Sequence, residues 1–363
     1  MPTPHAELFD PVTIGEIECP NRVFMAPLTR MRARVEDDAP WALNVEYYRQ
    51  RAGAGLIVSE ATQVEPRGKG YPRTPGCHSP AQEAGWRLVT DAVHAAGGRI
   101  LAQLWHVGPI SHPDHQPGGA LPVAASARDP GGTAFTADGR KPRVVPRALE
   151  ADELPGIVAA YRDAAALCRR AGFDGVEIHA AHGYLLENFT RDSTNRRDDA
   201  WGGPIRNRIR LTLEVVDAAV SVWGRGRVGV RLSPVSNANG APPDSNPQAT
   251  YGAIVDALCA CRIAFLHMVE GDTGVARTLD GFDFAGARRA FPGAYVANNR
   301  YDAAMAARAI REGAADAVAF GMPFISNPDL PERLRAGLEP APVERRTIYA
   351  DGAEGYTDYP RAG

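Results

Sequence analysis

The segment His179-Ala180-Ala181-His182-Gly183-Tyr184 brings two imidazoles and a phenol close together along the chain. Two histidines three residues apart can share one face and donate two hydrogen bonds to a single oxygen. Such a pair stabilises an oxyanion or enolate as its charge develops. A tyrosine two positions further on supplies a proton donor. The same pair admits two other readings. With a third ligand such as Glu187 it would hold a metal, although the HExxH pattern is absent. It would also serve simply to cap a strand-to-helix turn. Arg231 sits near the end of the apolar run Val228–Leu232. A guanidinium there would meet either a delocalised anion or a salt-bridge partner inside the fold.

These groups need elements that aim them at one place. Eight short apolar runs read as strands: Arg22–Pro27, Leu56–Glu60, Arg99–Leu104, Gly175–His179, Val228–Leu232, Ala264–Val269, Ala294–Ala297 and Ala317–Phe320. Several are almost continuously apolar, as parallel strands covered on both faces should be. Helical stripes lie between them. Ala151–Ala171 aligns Leu154, Ile157, Tyr161, Ala165 and Cys168, and Pro204–Trp223 aligns Ile205, Ile209, Leu213, Val216 and Val220. Asn327-Pro328 reads as an N-cap with a first-turn proline. Eight strand–helix units predict an α/β fold, a single (β/α)8 TIM barrel spanning residues 1–363 as one domain.

Active sites of such barrels lie at the C-terminal ends of the strands. The residues there are Pro27-Leu28-Thr29, Glu60-Ala61, Gln103-Leu104-Trp105, His179, Arg231, Asn298-Asn299-Arg300 and Gly321-Met322. That position favours the oxyanion reading of the histidine pair. The turns after strands seven and eight are where barrels commonly bind phosphate, through backbone N–H groups and a helix N-terminus. Two segments lie outside the repeat. Val12–Asn21 reads as a hairpin around Gly15 that plugs the barrel floor. Residues 106–150 are too long for a βα connection and read as a lid after strand three. Gly224-Arg225-Gly226-Arg227-Val228-Gly229 spells G-x-G-x-x-G, but it precedes a strand and so lacks the context of a dinucleotide fingerprint.

Composition narrows the function classes. A net charge of −3 over 363 residues argues against a nucleic-acid-binding face. All of the 40 basic residues except Lys69 and Lys141 are arginine, which leaves almost no candidate for Schiff-base chemistry. Five irregularly spaced cysteines predict neither a disulfide framework nor a zinc site. Met1–Asp10 has no apolar signal core, and no apolar run reaches about 18 residues. The expected location is the cytoplasm, with small-molecule partners, no membrane and no nucleic acid, as a monomer or homodimer.

The chain resembles the Old Yellow Enzyme family of FMN-dependent ene-reductases. The matching stretches are Leu8-Phe9-Asp10-Pro11, Asn21-Arg22-Val23, Met25-Ala26-Pro27-Leu28-Thr29-Arg30, Gln103-Leu104-Trp105-His106, Gly175-Val176-Glu177-Ile178-His179, His182-Gly183-Tyr184-Leu185-Leu186, Asp316–Gly321, Asn327–Leu330 and Gly352–Pro360. The resemblance implies noncovalent FMN, reduced by NADPH or NADH, and enone or nitro substrates. It assigns Pro27, Leu28, Thr29, Ala61, Gln103, His179 and Arg231 to the flavin ring. It assigns Asn299, Arg300, Gly321 and Met322 to the phosphate. It assigns Tyr71, Trp105, His179, His182 and Tyr349 to the substrate, and makes Tyr184 the proton donor. The chain departs from the family at Met322, where arginine is frequent, and at Asn298-Asn299-Arg300, where the turn is usually glycine-rich; Arg300 is expected to supply the missing charge. Two rival readings remain: a barrel isomerase for phosphorylated substrates with Glu60 as base, and a non-enzymatic ligand-binding barrel.

Overall fold

The computed structural model describes residues 4–273 and 277–362. Its centre is a closed ring of eight parallel strands: β1 (Val23–Met25), β2 (Ile57–Val58), β3 (Ile100–Trp105), β4 (Gly175–Ala180), β5 (Val228–Leu232), β6 (Phe265–Val269), β7 (Ala294–Asn298) and β8 (Ala317–Phe320). Neighbours pair in chain order, and β8 pairs with β1 to close the barrel. The outer ring is α1 (Ala42–Gln50), α2 (Pro80–Ala95), α3 (Leu154–Arg170), α4 (Arg210–Trp223), α5 (Pro247–Cys261), α6 (Phe284–Ala290), α7 (Ala303–Arg311) and α8 (Leu330–Arg335). The predicted α/β barrel is the observed fold.

The interior is graded from floor to mouth. Val12–Ile14 pairs antiparallel with Ile17–Cys19 around Gly15, whose φ is 61°. This is the predicted hairpin. Its Ile14, Ile17 and Cys19 pack with Phe24, Leu101, Phe265 and Val296 from the barrel lining, so the floor is dry. Gly229 lies in this layer because a Cβ there would stand 2.1 Å from the Phe265 ring. That contact is the use of the last glycine of the G-x-G-x-x-G stretch.

Three local expectations differ from the structure. The second strand is only two residues long because side chains take over its ladder. Gln103 N–H donates to Ser59 Oγ at 3.1 Å, and Glu60 N–H donates to the Tyr48 hydroxyl at 2.8 Å. The helix predicted over Pro204–Trp223 is interrupted at Ile209. There Arg208 turns inward onto Asp244 at 2.8 Å. Asn327 does not cap α8; Asp329 stands at that N-cap. Asn327 instead closes the short helix Met322–Ser326, donating to Pro323 O at 2.8 Å and accepting from Ala341 N–H at 2.8 Å.

The predicted lid is ordered. Val123–Ala124 pairs parallel with Arg147–Ala148 at its stem, and Thr133–Thr136 pairs with Gly139–Pro142 in a hairpin at its tip. Arg197 holds the stem through the carbonyls of Ala125 and Leu149. The C-terminal segment is strapped to the barrel by Arg32, which donates to Ile348 O at 2.8 Å and to Thr347 O and Glu354 O at 2.9 Å. Tyr356 stacks on Tyr47 with centroids 4.1 Å apart. No helix among the described residues is long and apolar enough to cross a membrane.

Overpacking the floor should cost stability. Gly229→Ala is expected to lose about 1–3 kcal/mol. Gly252→Ala, in α5 where an added Cβ would meet nothing within 4 Å, should be neutral or gain about 0.5–1 kcal/mol. Urea unfolding of both variants decides it; equal effects would mean that the floor accommodates a methyl group.

Candidate active site

The end of β4 leads into a tight turn. His182 and Gly183 both adopt positive φ, 59° and 77°, before the helix Leu185–Thr190 begins. A left-handed histidine is strained, so the surroundings must hold it. Glu187, fully buried, does so. Its carboxylate accepts from Gly183 N–H at 2.6 Å, Ser233 Oγ at 2.8 Å and the Tyr251 hydroxyl at 2.6 Å, and pairs with Arg191 at 3.0 Å. His182 N–H donates to the same Ser233 Oγ at 2.9 Å. Four donors use up the acceptor capacity of a carboxylate, which removes Glu187 as a metal ligand. Among the described residues, no cluster of His, Cys, Asp and Glu could hold a metal ion.

The turn brings the predicted side chains together. The His179 and His182 rings lie 5.4 Å apart at 73°, and Tyr184 stands edge-on to His179 at 5.0 Å. Trp105 lies 4.9 Å from Tyr184 and stacks on Tyr71 at 5.7 Å. Tyr71, Ala61, Trp105 and Tyr184 form one apolar cluster above the mouth with Val107 and Ile110. The Tyr184 hydroxyl lies 2.9 Å from that of Tyr71. Burial holds both imidazoles well below their ordinary range, reinforced at His179 by His182 and Arg231 and at His182 by the cations Arg231 and Arg191. Both rings are therefore neutral at pH 7. His179 Nδ1 accepts from Ala181 N–H at 3.3 Å, so its proton sits on Nε2. His182 Nε2 is buried without a partner.

Beneath them runs a polar layer in which the predicted Gln103 and Arg231 are joined by Glu177 and His267, which the sequence did not mark. Glu177 accepts from Gln103 Nε2 at 2.7 Å and from His267 Nδ1 at 2.7 Å, all inside the barrel. This fixes the Gln103 amide and leaves its Oε1 available. Arg231 pairs in register with His179 and donates one NH2 to Asn298 Oδ1 at 2.9 Å, while its Nε has no partner. A free acceptor, an unpaired guanidinium donor and the half-buried Pro27, Leu28 and Thr29 at the end of β1 fit the planar, polar-edged ring of a flavin.

The remaining predicted residues lie at two edges of the mouth. Asn299 and Arg300 have consecutive positive φ, 104° and 55°, after β7. The Asn299 side chain is committed to the carbonyls of Glu270 and Asp272, whereas Arg300 is exposed. Gly321 leads directly into the helix beginning at Met322, which is 42% exposed. Tyr349 is 51% exposed and faces Phe135 of the lid at 6.3 Å. Glu60, the base of the isomerase reading, is fully buried against Arg30 N–H and the Tyr48 hydroxyl. It is closed off from the mouth. The lid residue Arg143 and the β5-loop residue Asn239 also reach the site. Arg143 donates to Asn239 O at 2.9 Å, and Asn239 Nδ2 to His182 O at 3.0 Å. No spacing signal marks them, since they are far apart in sequence.

Fold and site together define a (β/α)8 barrel whose mouth gathers an imidazole pair, a phenol and an unpaired guanidinium donor. Residues 7–340 match the family described as NADH:flavin oxidoreductase / NADH oxidase. The chain is 40% identical to flavin oxidoreductase hxnT of Emericella nidulans, covering 99% of each. It is 39% identical to 12-oxophytodienoate reductase 1 of Oryza sativa, covering 97% of this chain and 92% of that one. Among solved structures, it matches morphinone reductase in complex with tetrahydroNAD at a TM-score of 0.92 and 46% identity, covering 98% of both. It matches the old yellow enzyme homologue of Zymomonas mobilis at 0.93 and 44%, covering 98% of this chain and 99% of that one. The chain belongs to this family, the Old Yellow Enzymes, and is an NAD(P)H-dependent flavin oxidoreductase.

Burial pushes the Glu60 carboxyl up from 4.5 to about 7. A folded-state value above the unfolded one means that its stabilising contribution is complete below the unfolded value and is lost as pH rises through the folded value. Glu60→Gln, which keeps an acceptor oxygen, should gain stability relative to the parent between about pH 4.5 and about pH 7. Urea unfolding across that window tests it; a constant difference would place the titration elsewhere.

Proposed function

We propose that this protein is an FMN-dependent ene-reductase, acting as one barrel domain in the cytoplasm, as a monomer or homodimer. Bound FMN supplies hydride chemistry, taking hydride from NADPH or NADH and passing it to the β-carbon of an α,β-unsaturated carbonyl or nitro compound. The observation that carries the reading is the pair of neutral imidazoles, His179 and His182, meeting beside Tyr184 and next to the unsatisfied Arg231. Relatives named as 12-oxophytodienoate, morphinone and chanoclavine-I aldehyde reductases support carbonyl substrates.

Each residue then has a task. Pro27, Leu28, Thr29, Ala61, Gln103 and His179 hold the flavin ring. Arg231 offers its free Nε–H where negative charge collects on reduction. Backbone N–H groups of Asn299 and Gly321–Met322, with the Arg300 guanidinium, hold the phosphate. Tyr71, Trp105 and Tyr349 wall the substrate. His179 donates from Nε2 to the substrate's oxygen and His182 assists, which favours hydride acceptance because their donors meet charge that develops only in the transition state. Tyr184 protonates the α-carbon.

A panel of enones, maleimides and nitroalkenes with both nicotinamides tests the function, and Tyr184→Phe tests the donor. Flavin content and reduction by nicotinamide should stay near the parent's. Cyclohexenone turnover should fall by roughly 10²–10⁴, and nitroalkene consumption less, because a nitronate persists without immediate protonation. Equal small losses on both substrates would remove Tyr184 from the role.

The phosphate assignment has its own test. Arg300→Ala should weaken FMN retention by roughly 1–3 kcal/mol, the range for losing a charged hydrogen-bond partner. The difference from the parent should shrink with added salt, which screens the exposed guanidinium. Fluorescence titration of the apoprotein measures it. Unchanged affinity at low salt would mean that backbone groups alone hold the phosphate.

A further inference from the structure

Tyr184 is 8% exposed and enclosed by Trp105, His179 and Tyr71. A donor placed there has little contact with water from which to recover its proton. Tyr71 is half-buried and so less enclosed than Tyr184, which makes it the outer member of the pair. The two hydroxyls are 2.9 Å apart, a hydrogen bond in which either can donate.

The lid adds a cation to this pair. Arg143 follows the tip hairpin directly. It is anchored by Gly131 O at 3.2 Å and Asn239 O at 2.9 Å, and its Nε is buried without a partner. It lies close enough to both tyrosines for each to favour its charged form. Facing Tyr71 are Tyr184, Arg143, Arg140 and Tyr349. Two of these are cations, and both come from the lid.

We infer that Tyr71 and Arg143 form the proton-supply line of the reaction: Tyr71 passes a proton to Tyr184 as Tyr184 gives its own to substrate, and the Arg143 guanidinium holds the charge left on Tyr71. The inference rests on the assignment of Tyr184 as donor. The step balances. The Tyr184 O–H bond breaks as the α-carbon–H bond forms. The Tyr71 O–H bond breaks as the Tyr184 O–H bond is remade. The negative charge of the enolate thus arrives on Tyr71 as phenolate, and water returns the proton. Burial raises the pKa of both phenols, Tyr184 further than Tyr71, and Arg143 and Arg140 pull Tyr71 back. The charge therefore rests on the outer ring.

The test uses the holoenzyme. An unprotonated enolate can return its hydride, so net flavin reoxidation by cyclohexenone reports proton delivery. Measured in mixtures of H2O and D2O, the parent's limiting rate should curve with deuterium fraction, as two protons in flight require. Tyr71→Phe deletes one hydroxyl. It should give a linear dependence and a rate lower by roughly 10-fold or more, short of the roughly 10²–10⁴ expected for Tyr184→Phe. Arg143→Gln should also lower the limiting rate, and Arg143→Lys should restore much of it. A lid role alone would instead raise the enone concentration needed for half-saturation and leave the isotope curve unchanged. A second readout does not depend on turnover. With isotope-labelled tyrosine ring carbons, NMR titration should show Tyr71 ionising before Tyr184, and later in Arg143→Gln. A Tyr71→Phe enzyme with the parent's rate and curvature would overturn the relay while leaving Tyr184 as donor. A silent Tyr184→Phe would overturn the donor assignment itself, and the relay with it.

Discussion

The site depends on one buried carboxylate. Glu187 has no exposed surface, and an isolated charge there would be costly. Its four donors come from different places: the Gly183 backbone, Ser233 beyond β5, Tyr251 in α5 and Arg191 after the following helix. Satisfying the charge therefore forces these elements together. The left-handed His182-Gly183 turn is the result, and through it His182 folds back on His179 and Tyr184 enters the mouth. A break in this node would release the strain at His182, of order 1–3 kcal/mol, by letting the turn open. The site would lose its geometry without losing any of its side chains.

A second buried carboxylate sets the charge below the mouth. Glu177 favours the ionised form of Arg231 against the desolvation that lowers its pKa. It also takes the hydrogens of Gln103 and His267. Arg231 can thus remain a cation in a nearly closed barrel while one donor stays unpaired. Polar groups in the interior act here as a field aimed upward, whereas the apolar floor around Phe24 and Phe265 only fills space.

The barrel was legible because parallel strands covered on both faces must be apolar, and because strand ends in such a fold all point one way. That logic gathered His179, Arg231, Gln103 and Trp105 before any contact was known. It did less well where side chains compete with backbone. Ser59 and Tyr48 shorten β2 by hydroxyl bonds that no periodicity records. Asn327 followed by proline carries a helix-start signal, yet its amide is used to tie Ala341 to the preceding turn. Glu177 looked like one more position in a strand; its partner His267 is 90 residues away. Arg143 and Asn239 are 96 apart. Such pairs become visible only when the ring closes.

The preference for arginine over lysine has a structural reading in the same contacts. The segments around the mouth are irregular, so many of their carbonyls lack ladder partners, and buried carbonyls must find donors. A guanidinium offers five N–H groups in a planar fork and can reach several oxygens at once, where a lysine ammonium is a single point. Arg32 gathers five carbonyls, four of them from the C-terminal segment. Arg191 collects those of Ser233, Ser236, Ala241 and Pro242, and Arg51 those of Tyr47, Phe324 and Ile325. The two lysines do something different. Lys69 pairs with Asp38, and Lys141 with Asp114 and Asp138, charge to charge near the lid, where water is within reach. Loops that are fixed by forked donors can be long and irregular and still present Tyr71, Tyr349 and Arg143 at set positions. The rigidity of the mouth therefore comes from side chains reaching across the sequence, and the strands supply only the ring to which they are tied.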